Sequence, residues 1–204
     1  MGNIGIIGRA RTGKDTAGQW LVDNRGYRRI GFADALKEAA LKVDPIIQVE
    51  TALDEYGEKY DYNVGLQWVV DDHGWEGAKD KFPEVRRFLQ ELGAAVRAID
   101  EDFWLRTAMA KVQAANEDGV PVVITDVRYP NEAASLRRAD FHLVYIERPD
   151  VEQLTHESEG ALGMGDADYG IHNTGSLPNF LADVEGIADR IAAIESRRHY
   201  ARSL

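Results

Sequence analysis

The chain of 204 residues contains no cysteine. That excludes disulfides, thiolate zinc centres, iron–sulfur clusters and cysteine nucleophiles, and it fits a cytoplasmic protein. Proline is scarce, at 6 residues, so neither a collagen-like nor a proline-rich disordered chain is expected. Positive charge is short as well: 24 Lys and Arg against 35 Asp and Glu leave a net charge of −11. Long-range attraction to DNA, RNA or anionic lipid is therefore disfavoured, and an anionic ligand has to be held by a local cluster of cations. No apolar run approaches the roughly 18 residues of a membrane span. Met1 to Ile7 lacks the basic region and long apolar stretch of a signal peptide, so none is expected. The histidines are scattered without an H-x-x-x-H pair, and no G-x-S-x-G elbow exists, which argues against a histidine metal cluster and a serine hydrolase.

What is present suits one globular domain, with 44% hydrophobic and 29% charged residues and no Pro/Ser-rich linker. Asn3 to Ile7 reads as a buried strand and Lys14 to Asn24 as a helix, with Ala17, Trp20 and Leu21 on one face. Tyr27 to Phe32 follows as a strand and Ala35 to Val43 as a helix. Between Asp44 and Phe82 acidic and aromatic residues mix, and the segment is assigned to helices. Glu84 to Ala98 and Phe103 to Ala115 are amphipathic helices. The β-branched run Val120 to Thr125 reads as a strand covered on both faces, then come a helix over 131–138, a strand over 142–146, a short strand over 169–172 and a closing helix over 177–196. Strands alternating with helices predict an α/β fold with a parallel sheet wrapped on both faces.

The sharpest signal is Gly8-Arg9-Ala10-Arg11-Thr12-Gly13-Lys14-Asp15-Thr16. It fits G-x-x-x-x-G-K and stands between a first strand and a first helix, as a phosphate-binding loop must. Glycines let the backbone wrap a phosphate, helix-terminal N–H groups point at the anion, and Lys14 supplies charge. The usual Ser or Thr after the lysine is Asp15 here, with Thr16 next. A carboxylate is a good hard-oxygen ligand for Mg²⁺, so the metal stays plausible while Asp15 and Thr16 compete as its ligand. Arg9 and Arg11 either add charge beside the phosphates or are solvated surface residues.

Asp126 and Arg128 stand at the end of the 120–125 strand, where open α/β sheets bind ligands. Asp126 could hold Mg²⁺ through water or cap the next helix, which Pro130 and Asn131 favour. Arg86, Arg87 and Arg97 lie on or near one helix, where Arg86, Gln90 and Arg97 share a face suited to a phosphate and a nucleobase; the alternative for these arginines is salt bridging to Glu84, Glu91 and Asp100. Lys37 is ambiguous in the same way. Trp68, Trp75 and Trp104 could stack on a base or fill a core, with Trp104 the best stacking candidate.

In this order and spacing the chain resembles the bacteriophage-type deoxynucleoside monophosphate kinases, a branch of the P-loop nucleotide kinases. The carriers are the loop from Gly8 to Thr16, Phe32-Ala-Asp-Ala-Leu-Lys37, Arg86-Arg-Phe-Leu-Gln-Glu-Leu-Gly93 with Trp104, Asp126-Val-Arg128, Glu147-Arg-Pro149, His156-Glu-Ser-Glu159, and Asp168-Tyr-Gly-Ile-His-Asn-Thr-Gly-Ser-Leu177. The resemblance implies a three-layer α/β sandwich with a central parallel sheet of about five strands, a helical nucleotide-binding insert and a lid. One kinase domain would span 1–204, with core segments 1–33, 84–148 and 166–204, an acceptor-binding insert over 34–83 and a lid over 149–165.

The same resemblance implies transfer of a phosphoryl group from ATP, with Mg²⁺, to a deoxynucleoside monophosphate in deoxynucleotide biosynthesis. Gly8, Arg11, Thr12, Gly13, Lys14, Asp15 and Thr16 would hold the ATP phosphates, and Asn173 to Gly175 would lie beside the adenine. Lys37, Arg86 and Arg128 would meet the acceptor phosphate, Gln90, Arg97 and Trp104 the base and sugar, and Asp34 belongs to the insert. Lys14, Arg128, Arg148 and Asp126 would be catalytic, Asp15 and Asp126 the metal ligands, and His156 and Glu159 part of the lid. The implied partners are dNMP and ATP, with no nucleic acid and no membrane. A homodimer is left open, and the location would be the cytoplasm, that of a host cell if the chain is phage-encoded. Two other readings remain at this point: another small-molecule P-loop kinase, such as one acting on dephospho-coenzyme A, and a nucleotide-binding regulatory protein without transferase activity.

Overall fold

A computed structural model of the chain describes residues 2–149 and 161–202. Short apolar runs form a five-stranded sheet: β1 (Ile4–Ile7), β2 (Arg28–Arg29), β5 (Val122–Val127), β6 (His142–Glu147) and β7 (Tyr169–His172), in the order β2-β5-β1-β6-β7. Every neighbouring pair is parallel. All four β1 residues are buried, as are Val122, Val123 and Ile124, as expected where helices cover both faces. Around the sheet run α1 (Lys14–Arg25), α5 (Phe103–Glu117), α6 (Pro130–Arg138) and α7 (Leu177–Arg202). From α7, Phe180, Val184, Ile187, Ala188 and Ile191 join Ile4, Ile6, Val144, Ile146 and Ile171 in one core, a helical stripe laid on a sheet.

The remaining elements are α2 (Asp34–Val43), β3 (Ile46–Leu53), β4 (Lys59–Gly65), α3 (Leu66–Lys81) and α4 (Pro83–Ile99). By its contacts the chain groups into residues 1–32 with 108–204, and residues 33–107. The second unit has its own core of Ala40, Ile47, Val64, Leu66, Val69, Ala78 and Val85. Because Val85 belongs to it, α4 groups with residues 33–107, whereas the sequence reading placed 84–107 with the core segments. Among the described residues, no helix is long and apolar enough to cross a membrane.

Residues 46–65 depart from the helices expected there. They form an antiparallel hairpin, with Glu50 opposite Tyr62 and Leu53 opposite Lys59. The turn explains it: Asp54 Oδ1 accepts from the N–H groups of Tyr56 and Glu58, and the Asp54 N–H donates to the Glu58 carbonyl at 2.9 Å. Only α3, which follows, is helical, and it kinks at Gly74. The second strand is shorter than expected, and β5 runs two residues further, because Ile7 of β1 still pairs with Val127.

Close packing of α1 on β5 sets the stage for the loop between β1 and α1. A Cβ on Gly18 would stand 2.3 Å from Cγ2 of Thr125. Thr125 cannot turn aside freely, since its hydroxyl donates to Asp15 Oδ1 at 3.1 Å. Gly18→Ala is therefore expected to cost about 1–3 kcal/mol through overpacking, despite the about 1 kcal/mol by which alanine outdoes glycine inside a helix. A thermal melt checks this, at about 2–4 °C per kcal/mol for a chain of this size. An unchanged or higher Tm would show that the contact relaxes without cost.

Candidate active site

Because β5, β1 and β6 are parallel neighbours, their C-terminal ends lie side by side, with Ile7 paired to Val127 and to Tyr145. The chain leaves β1 through Gly8 at φ 152°, and a Cβ there would stand 2.3 Å from the Ile146 carbonyl oxygen, so only glycine passes. The loop then folds on itself: the Arg9 carbonyl accepts from Thr12 Oγ1 at 2.9 Å and from Lys14 Nζ at 2.5 Å. Gly13 opens α1 without a side-chain cap, which directs the first-turn N–H groups into the loop as an anion site. Ile7, Gly8, Arg9, Lys14, Val127, Arg128 and Leu162 line one cleft. Lys14 and Arg128, 114 residues apart in sequence, are thus brought together, while Arg11 is exposed with φ 62°.

The two carboxylates proposed for a metal stand on α1 and near the end of β5. Asp15 in the first turn of α1 is held by the Thr125 hydroxyl, and Thr16 beside it is exposed. Asp126 Oδ1 accepts from the Phe32 N–H at 3.0 Å, which ties it to the end of the second strand segment. Both are hard oxygen donors of the kind Mg²⁺ takes, one or two carboxylates together with substrate phosphates, and among the described residues no cluster of three or more such side chains forms a cage for a metal by itself.

Asn173, just after β7, donates from Nδ2 to the Thr12 carbonyl at 2.9 Å, and its N–H donates to the Glu147 carbonyl at 2.8 Å. It therefore ties the phosphate loop to the end of β6. Gly175 follows in the same loop, close to Asn179. Arg148 is exposed immediately beyond β6, where Glu147 pairs with His172. His156 and Glu159 lie outside the described residues, as does most of the expected lid. Leu162, at its described end, lines the cleft.

One residue beside this cleft had escaped notice. Glu132, at the third position of α6, accepts at Oε2 from the N–H groups of Arg128 (2.7 Å) and Tyr129 (3.0 Å). Burial raises its carboxyl to about 7 and Asp126 adds to the effect, against the two main-chain hydrogen bonds and the Arg128 charge. The available signal was a glutamate three residues after Tyr129, the spacing by which a side chain reaches back around a helix N-terminus.

Within residues 33–107 the cationic candidates gather around Glu76. Partial burial pushes that carboxyl up, but a hydrogen bond from Lys79 and the charges of Lys79, Lys37 and Arg86 outweigh it and hold it below its usual range. Lys37 also lies over the Trp75 ring at 5.6 Å, and Arg86 meets Asp80 at 3.3 Å. Asp34 starts α2. Arg87 takes the salt-bridge alternative, with Glu84 and Glu91, while Asp100 is held by Arg106. Gln90 and Arg97 are exposed on α4. Trp104 is 8% exposed and donates to the Gly93 carbonyl at 3.4 Å, so its ring packs α5 against α4.

Comparison with known proteins adds to this geometry. The profile of the deoxynucleotide monophosphate kinase family matches residues 73–184. A protein of Acanthamoeba polyphaga mimivirus described as a deoxynucleotide monophosphate kinase is 26% identical, over 91% of this chain and 95% of its own. An uncharacterized protein of Ictalurid herpesvirus 1 (strain Auburn) is 39% identical over 85 residues, 39% of this chain and 37% of its own. Dephospho-CoA kinase from Campylobacter jejuni shares the fold, with a TM-score of 0.52 over 96% of this chain and 100% of that one at 12% identity. The family profile spans more than half of the residues, including Arg86, Arg128 and Asn173, and on that ground the chain belongs to the deoxynucleotide monophosphate kinase family.

Proposed function

We propose that the protein transfers the γ-phosphoryl group of ATP to the 5′-phosphate of a deoxynucleoside monophosphate. An oxygen of the acceptor phosphate forms a bond to Pγ, the bond from Pγ to the β–γ bridging oxygen breaks, and ADP leaves with that electron pair. The observation that carries this reading is the cleft in which Lys14 and Arg128 meet over the phosphate loop. Transfer between two anions needs little covalent help; it needs both phosphates in line, water kept out and developing charge neutralised.

The residues divide that work. The loop amides and Lys14 bind and orient the ATP phosphates, and Asn173 keeps the loop in shape through Thr12. Arg128 is the candidate for the acceptor phosphate, with Lys37 and Arg86 as further candidates for that phosphate and Gln90 and Arg97 for the base and sugar. Arg148 stands at the base of a lid over 149–165, of which Leu162 already borders the cleft. Asp15 and Asp126 would hold Mg²⁺, which neutralises phosphate oxygens when bound. The domain layout that accompanies this reading is a nucleotide-binding core and an acceptor-binding insert in one kinase domain.

The test is ADP release with ATP and Mg²⁺ against a panel of dNMPs, rNMPs and dephospho-coenzyme A, beside a no-acceptor control. Turnover that requires a dNMP is the expected result. ATP consumption independent of acceptor, or turnover only with dephospho-coenzyme A, would replace this reading.

A further inference from the structure

Arg128 stands just past the end of β5. β1, the strand beside it, pairs as far as Val127 and then turns away into the phosphate loop. The two N–H groups that follow, those of Arg128 and Tyr129, are both taken by one oxygen of Glu132. Such an arrangement fixes the backbone that carries a side chain without touching the ligand, as partners behind a metal-ligating residue do. α6 is itself anchored through Ala133 and Leu136, both buried, so Glu132 is held from below by packing.

The geometry points to Glu132 as a positioning residue: its carboxylate, by accepting from the main chain at 128 and 129, holds Arg128 at the phosphate-loop cleft for the acceptor phosphate. This role rests on the kinase reading above. Arg128 has a long, flexible side chain, and a fixed backbone leaves it fewer ways to miss the acceptor. The acceptor oxygen, not the negative charge, carries the role, so an amide at the same place should serve.

Steady-state kinetics of the full chain, with ATP and dNMP varied separately, tests this with three variants. Glu132→Ala removes the acceptor, Glu132→Asp keeps the charge and a residue suited to a helix N-terminus but falls one methylene short, and Glu132→Gln keeps the reach. Alanine and aspartate variants are expected to lose about 10- to 100-fold in kcat/KM for the dNMP, mainly through KM, with KM for ATP unchanged. The glutamine variant is expected to keep wild-type values. A merely structural defect would lower kcat through the folded fraction and leave both KM values alone. Should the alanine variant not fold, the aspartate variant decides. An unchanged KM for dNMP in the aspartate variant, or a glutamine variant as impaired as it, overturns the role while the kinase reading stands. No dNMP-dependent turnover by the wild type overturns both.

Discussion

Lys14→Ala is expected to lower kcat by roughly 10²–10³-fold, a loss of about 2.7–4 kcal/mol of transition-state stabilisation. The ammonium sits inside the loop, where it donates to the Arg9 carbonyl and lines the same cleft as Arg128. As a phosphoryl group moves, charge shifts onto the oxygen joining the β- and γ-phosphates, and a cation fixed beforehand at that place needs no reorganisation. Alanine removes the charge without disturbing the fold, because Thr12 still donates to the Arg9 carbonyl and Gly8 still makes the turn. Stability should change by no more than about 1 kcal/mol, the worth of one partly exposed hydrogen bond. Arginine should not rescue, since its planar fork is too wide for a loop shaped around a compact ammonium. Single-turnover ADP formation beside a thermal melt checks the pair of expectations. Wild-type turnover in the alanine variant would remove the loop from the chemistry.

What could be read from the sequence follows the range of the interactions involved. The phosphate loop was legible because its chemistry is local: Gly8, Gly13 and Lys14 are spaced by the path of the backbone around a phosphate. The strand expected over 120–125 was legible because burial on both faces leaves the β-branched run Val122 to Thr125. The hairpin was not, although each strand alternates, as Tyr60, Tyr62 and Val64 do with Lys59, Asp61 and Asn63: the apolar residues of one strand stand opposite polar ones of the other, Val49 opposite Asn63 and Tyr62 opposite Glu50, so neither face is a continuous apolar one, and Val49, Leu53, Tyr60 and Tyr62 are all exposed. Its turn at Asp54 was the remaining cue. Asp126 had a local alternative as a helix cap, and its hydrogen bond from the N–H of Phe32, 94 residues away, could not be read from its neighbours in sequence. Asn173 likewise shows its link to the phosphate loop only across 161 residues. Glu132 lies in an ordinary polar stretch, and nothing nearby announces that it is partly buried.

That burial makes Glu132 costly, and the cost should be measurable. Its carboxyl titrates near pH 7 in the folded chain against an unperturbed 4.5, with burial the main cause, Asp126 adding to it, and the main-chain hydrogen bonds from Arg128 and Tyr129 and the Arg128 charge opposing it. An acid whose folded value is raised contributes stability that is fully present below its unfolded value and is lost as pH rises through the folded one. Between pH 4.5 and 7 the folded state therefore gives up about 3 kcal/mol at this position. Glu132→Gln, which cannot ionise, should match the wild type closely near pH 4.5 and exceed it by about 3 kcal/mol at pH 8, or about 6–12 °C in Tm for a chain of this size. Melts of both proteins between pH 4.5 and 8 isolate the effect, because titrating groups that do not sense Glu132 cancel in the difference. A gap that stays constant with pH, or a glutamine variant less stable at pH 8, would mean that the carboxylate is not penalised by its surroundings. If the gap opens as expected, the protein keeps at neutral pH a carboxylate that glutamine would improve on for stability. Residues retained against stability concentrate where a site has to be held in shape, and this one holds the backbone of Arg128.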